Sequence, residues 1–236
     1  MPRPLIPRAD VVVTLQPLIY RLVWLSARLI YFILWRPRLV GRNRLPDGPF
    51  LLCANHRSWF DPPLAAILLW GPIGFLAKAE LFANPVLGWF LRSLNAQPIR
   101  RGAIDRGAIR GVMDKLERGL PVIVFPEGTR SRTGQMLPPR PGVGMLARQV
   151  GVPVVPAHID GSFRIGGRPF RWGRLRMRLG PVIGTAEVTA FPDDKQGYRA
   201  LSDRIMHAIC DLSGDPATSW AQTRIAPEST PETPIP

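Results

Sequence analysis

The sequence has little cysteine, little histidine and almost no lysine. Two cysteines, Cys53 and Cys210, are too few for a disulfide framework or a cysteine-built metal site. Cys53 falls in an apolar strand pattern and reads as core. Of the histidines, His56 has no cluster of His and Cys residues around it, so no metal is implied. Lys78, Lys115 and Lys195 are the only lysines among 31 Lys+Arg, set against 17 Asp+Glu. The formal net charge of +14 is therefore carried almost wholly by arginine, which stays ionised and grips phosphates bidentately. Such a balance implies an anionic partner: nucleic acid, anionic lipid headgroups or a phosphorylated substrate. No G-x-S-x-G is present, which removes the nucleophile elbow of serine hydrolases. A clean transmembrane run is missing as well. The apolar segment Val11–Trp35 is interrupted by Arg21 and Arg28, and each arginine at mid-membrane would cost about 2.5–3.5 kcal/mol.

What is present is enough for one core: 236 residues with 46% hydrophobic content favour a single domain. Residues 11–35 are basic, aromatic-rich and helical in pattern, with Pro17 fitting a first turn and Pro37 a stop. Arg21 and Arg28 lie seven apart on one helical face, so the helix is expected to lie in a membrane interface with its arginines toward the headgroups. The interrupted apolar stretch, with no small-residue cleavage site after it, does not read as a signal peptide. Three organisational units result: residues 1–40 as a membrane-associated helix, 41–212 as the catalytic-type core, and 213–236 as a disordered Pro/Thr-rich tail.

Within the core, short apolar runs alternate with helical patterns, which predicts an α/β fold with a mixed, largely parallel sheet flanked by helices. Strands are expected at Phe50–Ala54, Pro72–Ala77 and Val122–Phe125, with a short one in Ala96–Gly102 that ends in two arginines. Val152–Ile159 carries Pro153 and Pro156, which predicts an irregular or edge strand. Helices are expected at Leu64–Trp70, Phe82–Leu94, Ile104–Gly119, Val143–Val150 and Tyr198–Leu212. Leu175, Met177 and Leu179 alternate with Arg174, Arg176 and Arg178, as in a half-buried strand with a basic outer face.

Two polar clusters stand directly after buried-strand patterns, where α/β folds build sites. The first is Asn55-His56 through Asp61, followed by prolines that fit a helix start. A histidine is the natural general base near neutral pH, and a carboxylate on its other ring nitrogen would fix its tautomer. With no nucleophile elbow in the chain, the activated hydroxyl is expected to belong to the substrate. The second cluster is Phe125-Pro126-Glu127-Gly128-Thr129-Arg130-Ser131. Gly128 permits a tight turn, Arg130 can take a phosphate, and Thr129 and Ser131 can offer hydroxyls. A solvated turn with a surface Glu–Arg pair is the plain alternative for that cluster alone. Outside these clusters, His158 reads as a core histidine. His207 and Asp211, in the terminal helical pattern with no strand before them, read as surface or packing.

These blocks, with Pro98-Ile99-Arg100-Arg101-Gly102 and Val152-Pro153-Val154-Val155-Pro156, resemble the glycerolipid acyltransferase family that includes bacterial 1-acylglycerol-3-phosphate (lysophosphatidate) acyltransferases. The likeness spans roughly residues 45–165. It implies a glycerol-3-phosphate acyltransferase-like α/β core held at the inner leaflet of the cytoplasmic membrane by N-terminal helices. It also implies that His56 deprotonates the glycerol hydroxyl while Asp61 orients it, and that the hydroxyl attacks the thioester of acyl carrier protein or acyl-CoA. Arg101, Glu127, Gly128, Thr129 and Arg130 would line the acceptor's phosphate site, with Glu127 organising Arg130 or the turn. Asn55, Arg100, Ser131 and Pro156 would support them, Pro156 by shaping the pocket. Two departures touch the anion side of the site. Arg100 stands where the family often has an acidic residue, leaving the assignment between Arg100 and Arg101 open. Pro139-Arg140-Pro141-Gly142 replaces a lysine-rich glycine segment.

The expected partners are a lysolipid, an acyl-carrier-protein or CoA thioester, and an anionic membrane surface, with no nucleic acid and no resident cofactor. Lysophosphatidate is the default acceptor; lyso-ornithine lipid or another lysophospholipid fits the same chemistry. A non-enzymatic basic membrane- or nucleic-acid-binding protein has no use for a base–carboxylate pair. A thioester or lipid hydrolase would use water in place of the acceptor hydroxyl.

Overall fold

The computed structural model describes residues 15–69, 71–100, 105–164 and 175–214. A seven-stranded sheet runs in the order β1-β7-β6-β2-β5-β3-β4. Its centre is β2 (Leu51–Ala54), parallel to β5 (Val122–Val124) on one side and to β6 (Val154–Asp160) on the other. Beyond β5 come β3 (Gly74–Lys78) and β4 (Ala96–Ile99), also parallel. The pairing of β6 with β7 (Arg176–Leu179) is antiparallel, an isolated antiparallel bridge joins Val154 to Ile183, and β1 (Arg38–Val40) completes that edge parallel to β7. The sheet is therefore mixed and largely parallel, as the alternation of apolar runs with helical patterns predicts.

Parallel strands covered by helices on both faces carry apolar side chains in both directions. In β2, Leu51 and Cys53 point into one core layer, while Leu52 and Ala54 point into the other. The first layer is closed by α4 (Arg106–Glu117), α5 (Pro141–Val150), α6 (Thr185–Ala190) and α7 (Lys195–Asp211). The second is closed by α2 (Asp61–Leu69), with Tyr31 of α1 (Leu15–Trp35) inside it. A short helix, α3 (Pro85–Ser93), starts at Asn84, whose side chain accepts from Leu87 N at 3.0 Å. Burial pushes the Cys53 thiol up to about 12, which makes it a packing residue and not a nucleophile.

Three sequence expectations are corrected. The proline-bearing strand is not at an edge: β6 lies between β2 and β7, and its residues from Val154 to Ile159 are buried. Pro156 is tolerated because a residue's N–H and C=O point to the same side of a strand. That side faces Gly180, just past the end of β7, where Gly180 N still donates to Pro156 O at 2.8 Å. The polar approach at 36–49 contains the strand β1, too short to show a period. Arg28 does not share an outward face with Arg21. Its guanidinium donates to Ile67 O at 3.2 Å and lies over Trp24 and Phe32, whereas Arg21 is exposed. The expected tail from 215 onward, the first ten residues and Arg168, Arg171 and Arg174 lie outside the described residues.

Candidate active site

Because β2 and β5 are parallel neighbours with Cys53 opposite Val124, the segments leaving their carboxyl ends emerge side by side. That register brings the two polar clusters together. Ser131 N donates to His56 O at 2.8 Å, and His56 N donates to Glu127 Oε1 at 2.8 Å. Leu137 N closes the far side of the same carboxyl on Oε2 at 3.2 Å. Glu127 thus stitches three backbone segments together, and it makes no ion pair with Arg130 among the described residues. Burial pushes its carboxyl up to about 7, even though the two N–H donors favour the anion.

His56 is oriented by Asp61, the first residue of α2. Asp61 Oδ2 accepts from His56 Nδ1 at 2.9 Å, from Arg57 N at 2.8 Å and from Ser58 N at 2.7 Å. With Nδ1 donating to a fully buried carboxylate, Nε2 is left as the acceptor nitrogen. The imidazole stacks on Phe125, centroids 4.0 Å apart at 18°, so the ring plane is fixed from a second direction. Asn55, also fully buried, exchanges two hydrogen bonds with the backbone of Ile159, at 2.7 and 3.0 Å. This extends the β2–β6 ladder through a side chain and pins the residue before the histidine.

The turn after β5 needs its glycine. Gly128 has φ +64, and a Cβ there would come within 2.6 Å of the Arg140 side chain. Thr129 and Arg130 border the cavity beside His56, and the Arg130 guanidinium lies 4.5 Å from the centroid of the exposed Trp59. Ser131 does not offer its hydroxyl to a ligand. It is buried, and its Oγ accepts from Gly134 N at 3.1 Å inside its own loop. Pro156 is buried opposite Cys53 and does not border the cavity. Arg100 does border it, while Arg101 falls outside the described residues.

His56 opens into a cavity of about 1430 Å³ that crosses the carboxyl ends of the strands. One limb is apolar and runs between Trp24 and Ala27 of α1, Ala66 and Ile67 of α2 and Leu91 of α3. Helices α2 and α3 therefore both contribute to it. The rest is basic. Lys78, Arg100, Arg130 and Arg132 border the cavity near the strand ends, and Arg140, Lys195 and Arg199 border it toward α5 and α7. Among the described residues that border the cavity, Asp105 is the one carboxylate. It is occupied by Arg100 N and Ala108 N, backbone donors that hold it below the usual carboxylate range.

Sequence reasoning missed the contacts of Trp59 with Arg130, Phe125 with His56, and Tyr31 with the catalytic turn, where Tyr31 Oη donates to Phe60 O at 3.0 Å. No periodicity signals such contacts, because each joins segments distant in the chain or lies in a loop.

Comparison with known proteins agrees with this geometry. A lyso-ornithine lipid O-acyltransferase of Pseudomonas aeruginosa is 38% identical over 167 residues, covering 70% of this chain and 60% of that protein. A chloroplastic 1-acyl-sn-glycerol-3-phosphate acyltransferase of Brassica napus is 31% identical over 150 residues, covering 61% of this chain and 42% of that one. The chain thus spans less than two thirds of the length of either relative. The crystal structure of the 1-acyl-sn-glycerophosphate acyltransferase from Thermotoga maritima superposes with a TM-score of 0.64 at 26% identity, covering 85% of this chain and 82% of that one. The acyltransferase family model matches residues 36–160, a span that holds β2, β5, both polar clusters and the base–carboxylate pair, and the chain belongs to that family.

Proposed function

We propose that the protein transfers a fatty acyl group from an acyl-carrier-protein or CoA thioester to the sn-2 hydroxyl of lysophosphatidate, giving phosphatidate. The observation that carries this reading is the His56–Asp61 pair opening into a cavity with an apolar limb and a basic rim. His56 Nε2 takes the proton of the acceptor hydroxyl as its oxygen attacks the thioester carbonyl carbon. Asp61 holds the imidazole through Nδ1 and stabilises the imidazolium. The tetrahedral intermediate expels the thiolate, the C–S bond breaks, and the proton passes from His56 to sulfur. Arg130, with Thr129 and the turn shaped by Gly128, takes the acceptor's phosphate, and Arg101 joins it by the family resemblance. Glu127 acts through the backbone it ties, and no resident cofactor is required.

Membrane contact is assigned to α1. Leu18, Leu22, Leu25, Leu29 and Ile33 form an exposed stripe at helical spacing, and no helix of the described residues is long and apolar enough to cross a bilayer. With the net charge of +14, this supports docking on the anionic cytoplasmic face of the inner membrane. Lyso-ornithine lipid is the second acceptor considered, favoured by the 38% identity with an enzyme named for it.

The test is acyl transfer by the membrane-reconstituted protein to lysophosphatidate, lyso-ornithine lipid and lysophosphatidylglycerol, from both donors. Phosphatidate formation that drops about 10²–10⁴-fold in His56→Ala is the expected result. Product only from lyso-ornithine lipid would keep the chemistry and transfer the acceptor assignment. Release of free fatty acid without any acceptor would identify a hydrolase.

A further inference from the structure

One acceptor phosphate leaves most of the cavity's cations unused. Seven basic residues border it, and the facing carboxylate, Asp105, is taken up by backbone N–H groups. These cations divide by position. Arg130 leans over Trp59, two residues before α2, the helix that with α1 covers one face of the sheet. Lys195 and Arg199 belong to α7, which covers the opposite face with α4 and α5. His56 borders the same cavity as both groups.

Lys195 and Arg199 are exposed at one end of the limb lined by Ile109, Met145 and Tyr198. Neither is in a salt bridge among the described residues. The acids just before them are engaged elsewhere. Asp194 caps α7 by accepting from Gly197 N at 2.8 Å, and Asp193 accepts from Tyr198 Oη at 2.6 Å. Cations on a cavity wall that form no salt bridge favour an anion, and α1 packs on the core layer opposite to that of α7.

Resting on the acyl-transfer reading, we infer that Lys195 and Arg199 form a second anion subsite that takes the phosphate of the donor's phosphopantetheine arm. The lysolipid enters from the α1 face, and the water-soluble donor enters from the α7 face. Its thioester then reaches His56 along the limb between α4, α5 and α7. The phosphate is common to acyl-CoA and acyl carrier protein, so one subsite serves either donor.

The experiment is steady-state kinetics of the full chain carrying Lys195→Ala and Arg199→Ala. The donors are acyl-CoA, acyl carrier protein and acyl-pantetheine, which lacks the phosphate. The donor KM should rise about five- to tenfold for both phosphorylated donors, the loss of roughly one charge-assisted contact. The KM for acyl-pantetheine and for the lysolipid should stay unchanged. An equal rise with acyl-pantetheine would show a merely structural effect and overturn the subsite. A rise in the lysolipid KM instead would assign these cations to the acceptor, and a rise with acyl-CoA alone would assign them to its nucleotide. Unchanged kinetics would remove the subsite and leave the acyl-transfer reading intact. Absence of transfer by the wild-type protein would remove that reading, and this inference with it.

Discussion

At the scale of single residues, Glu127 links the two polar clusters, and its environment makes it sensitive to pH. Its carboxyl stands at about 7 in the folded chain, against an ordinary 4.5. A carboxyl raised on folding favours the folded state most below its unfolded value and loses that contribution as pH rises through its folded value. Relative to Glu127→Gln, which does not titrate, wild-type stability should therefore fall by roughly 3 kcal/mol between about pH 4.5 and pH 7. Denaturant midpoints measured for both proteins across that range give the difference directly. A difference independent of pH would mean that the carboxyl keeps its ordinary affinity for protons. At any pH the variant also turns an amide N–H toward His56 N or Leu137 N, which accept nothing, so it should be less stable than wild type at the acid end.

At the scale of elements, α1 presents two different faces. Its inner face donates side-chain hydrogen bonds from Trp24 to Ala66 O, from Arg28 to Ile67 O and from Tyr31 to Phe60 O. Its outer face exposes leucines. Leu25→Gln with Leu29→Gln keeps helix propensity, and the two sites are 56% and 63% exposed, so folding stability should shift by no more than about 0.5 kcal/mol each. Vesicle affinity should fall at least about tenfold, since each buried leucine contributes about 1.5–3 kcal/mol. Undiminished co-sedimentation with vesicles would exclude this stripe as the membrane contact. The packing of α5 on α7 gives a separate prediction. A Cβ at Gly144 would collide with the carbonyl of Tyr198, and Gly144 N donates to Ser202 Oγ at 2.9 Å. Gly144→Ala should cost about 1–3 kcal/mol by overpacking, read as a lower denaturant midpoint at constant slope.

For the whole molecule, the net charge of +14 and the apolar stripe of α1 predict two components of membrane binding that respond differently to salt. Screening shortens from about 10 Å at 0.1 M to about 3 Å at 1 M, so affinity for phosphatidylglycerol vesicles should fall about tenfold or more over that range. The weaker binding to neutral phosphatidylcholine vesicles should hardly change. Equal salt dependence on both vesicle types would show that arginine charge does not act at the surface.

The sequence alone makes legible the residues proposed for the chemistry, because the histidine, its carboxylate and the glycine turn are local. His56 and Asp61 lie within one strand-to-helix turn, and Glu127 through Arg130 within another, each announced by the apolar run before it. It also determined the α/β class and the alternation of Met177 and Leu179 with the arginines of β7, which depend on periods of a few residues. The tertiary structure decided everything that depends on strand order. It placed β6 inside the sheet, between β2 and β7, despite Pro156, since a missing N–H matters only on the side to which it points. It turned Arg28 inward, drew Ser131 into its own loop, and tied Glu127 to His56 N instead of Arg130. It alone brought Lys195 and Arg199 of α7 to the same cavity as Arg130, because no pattern along a chain records which face of a sheet a distant helix will cover.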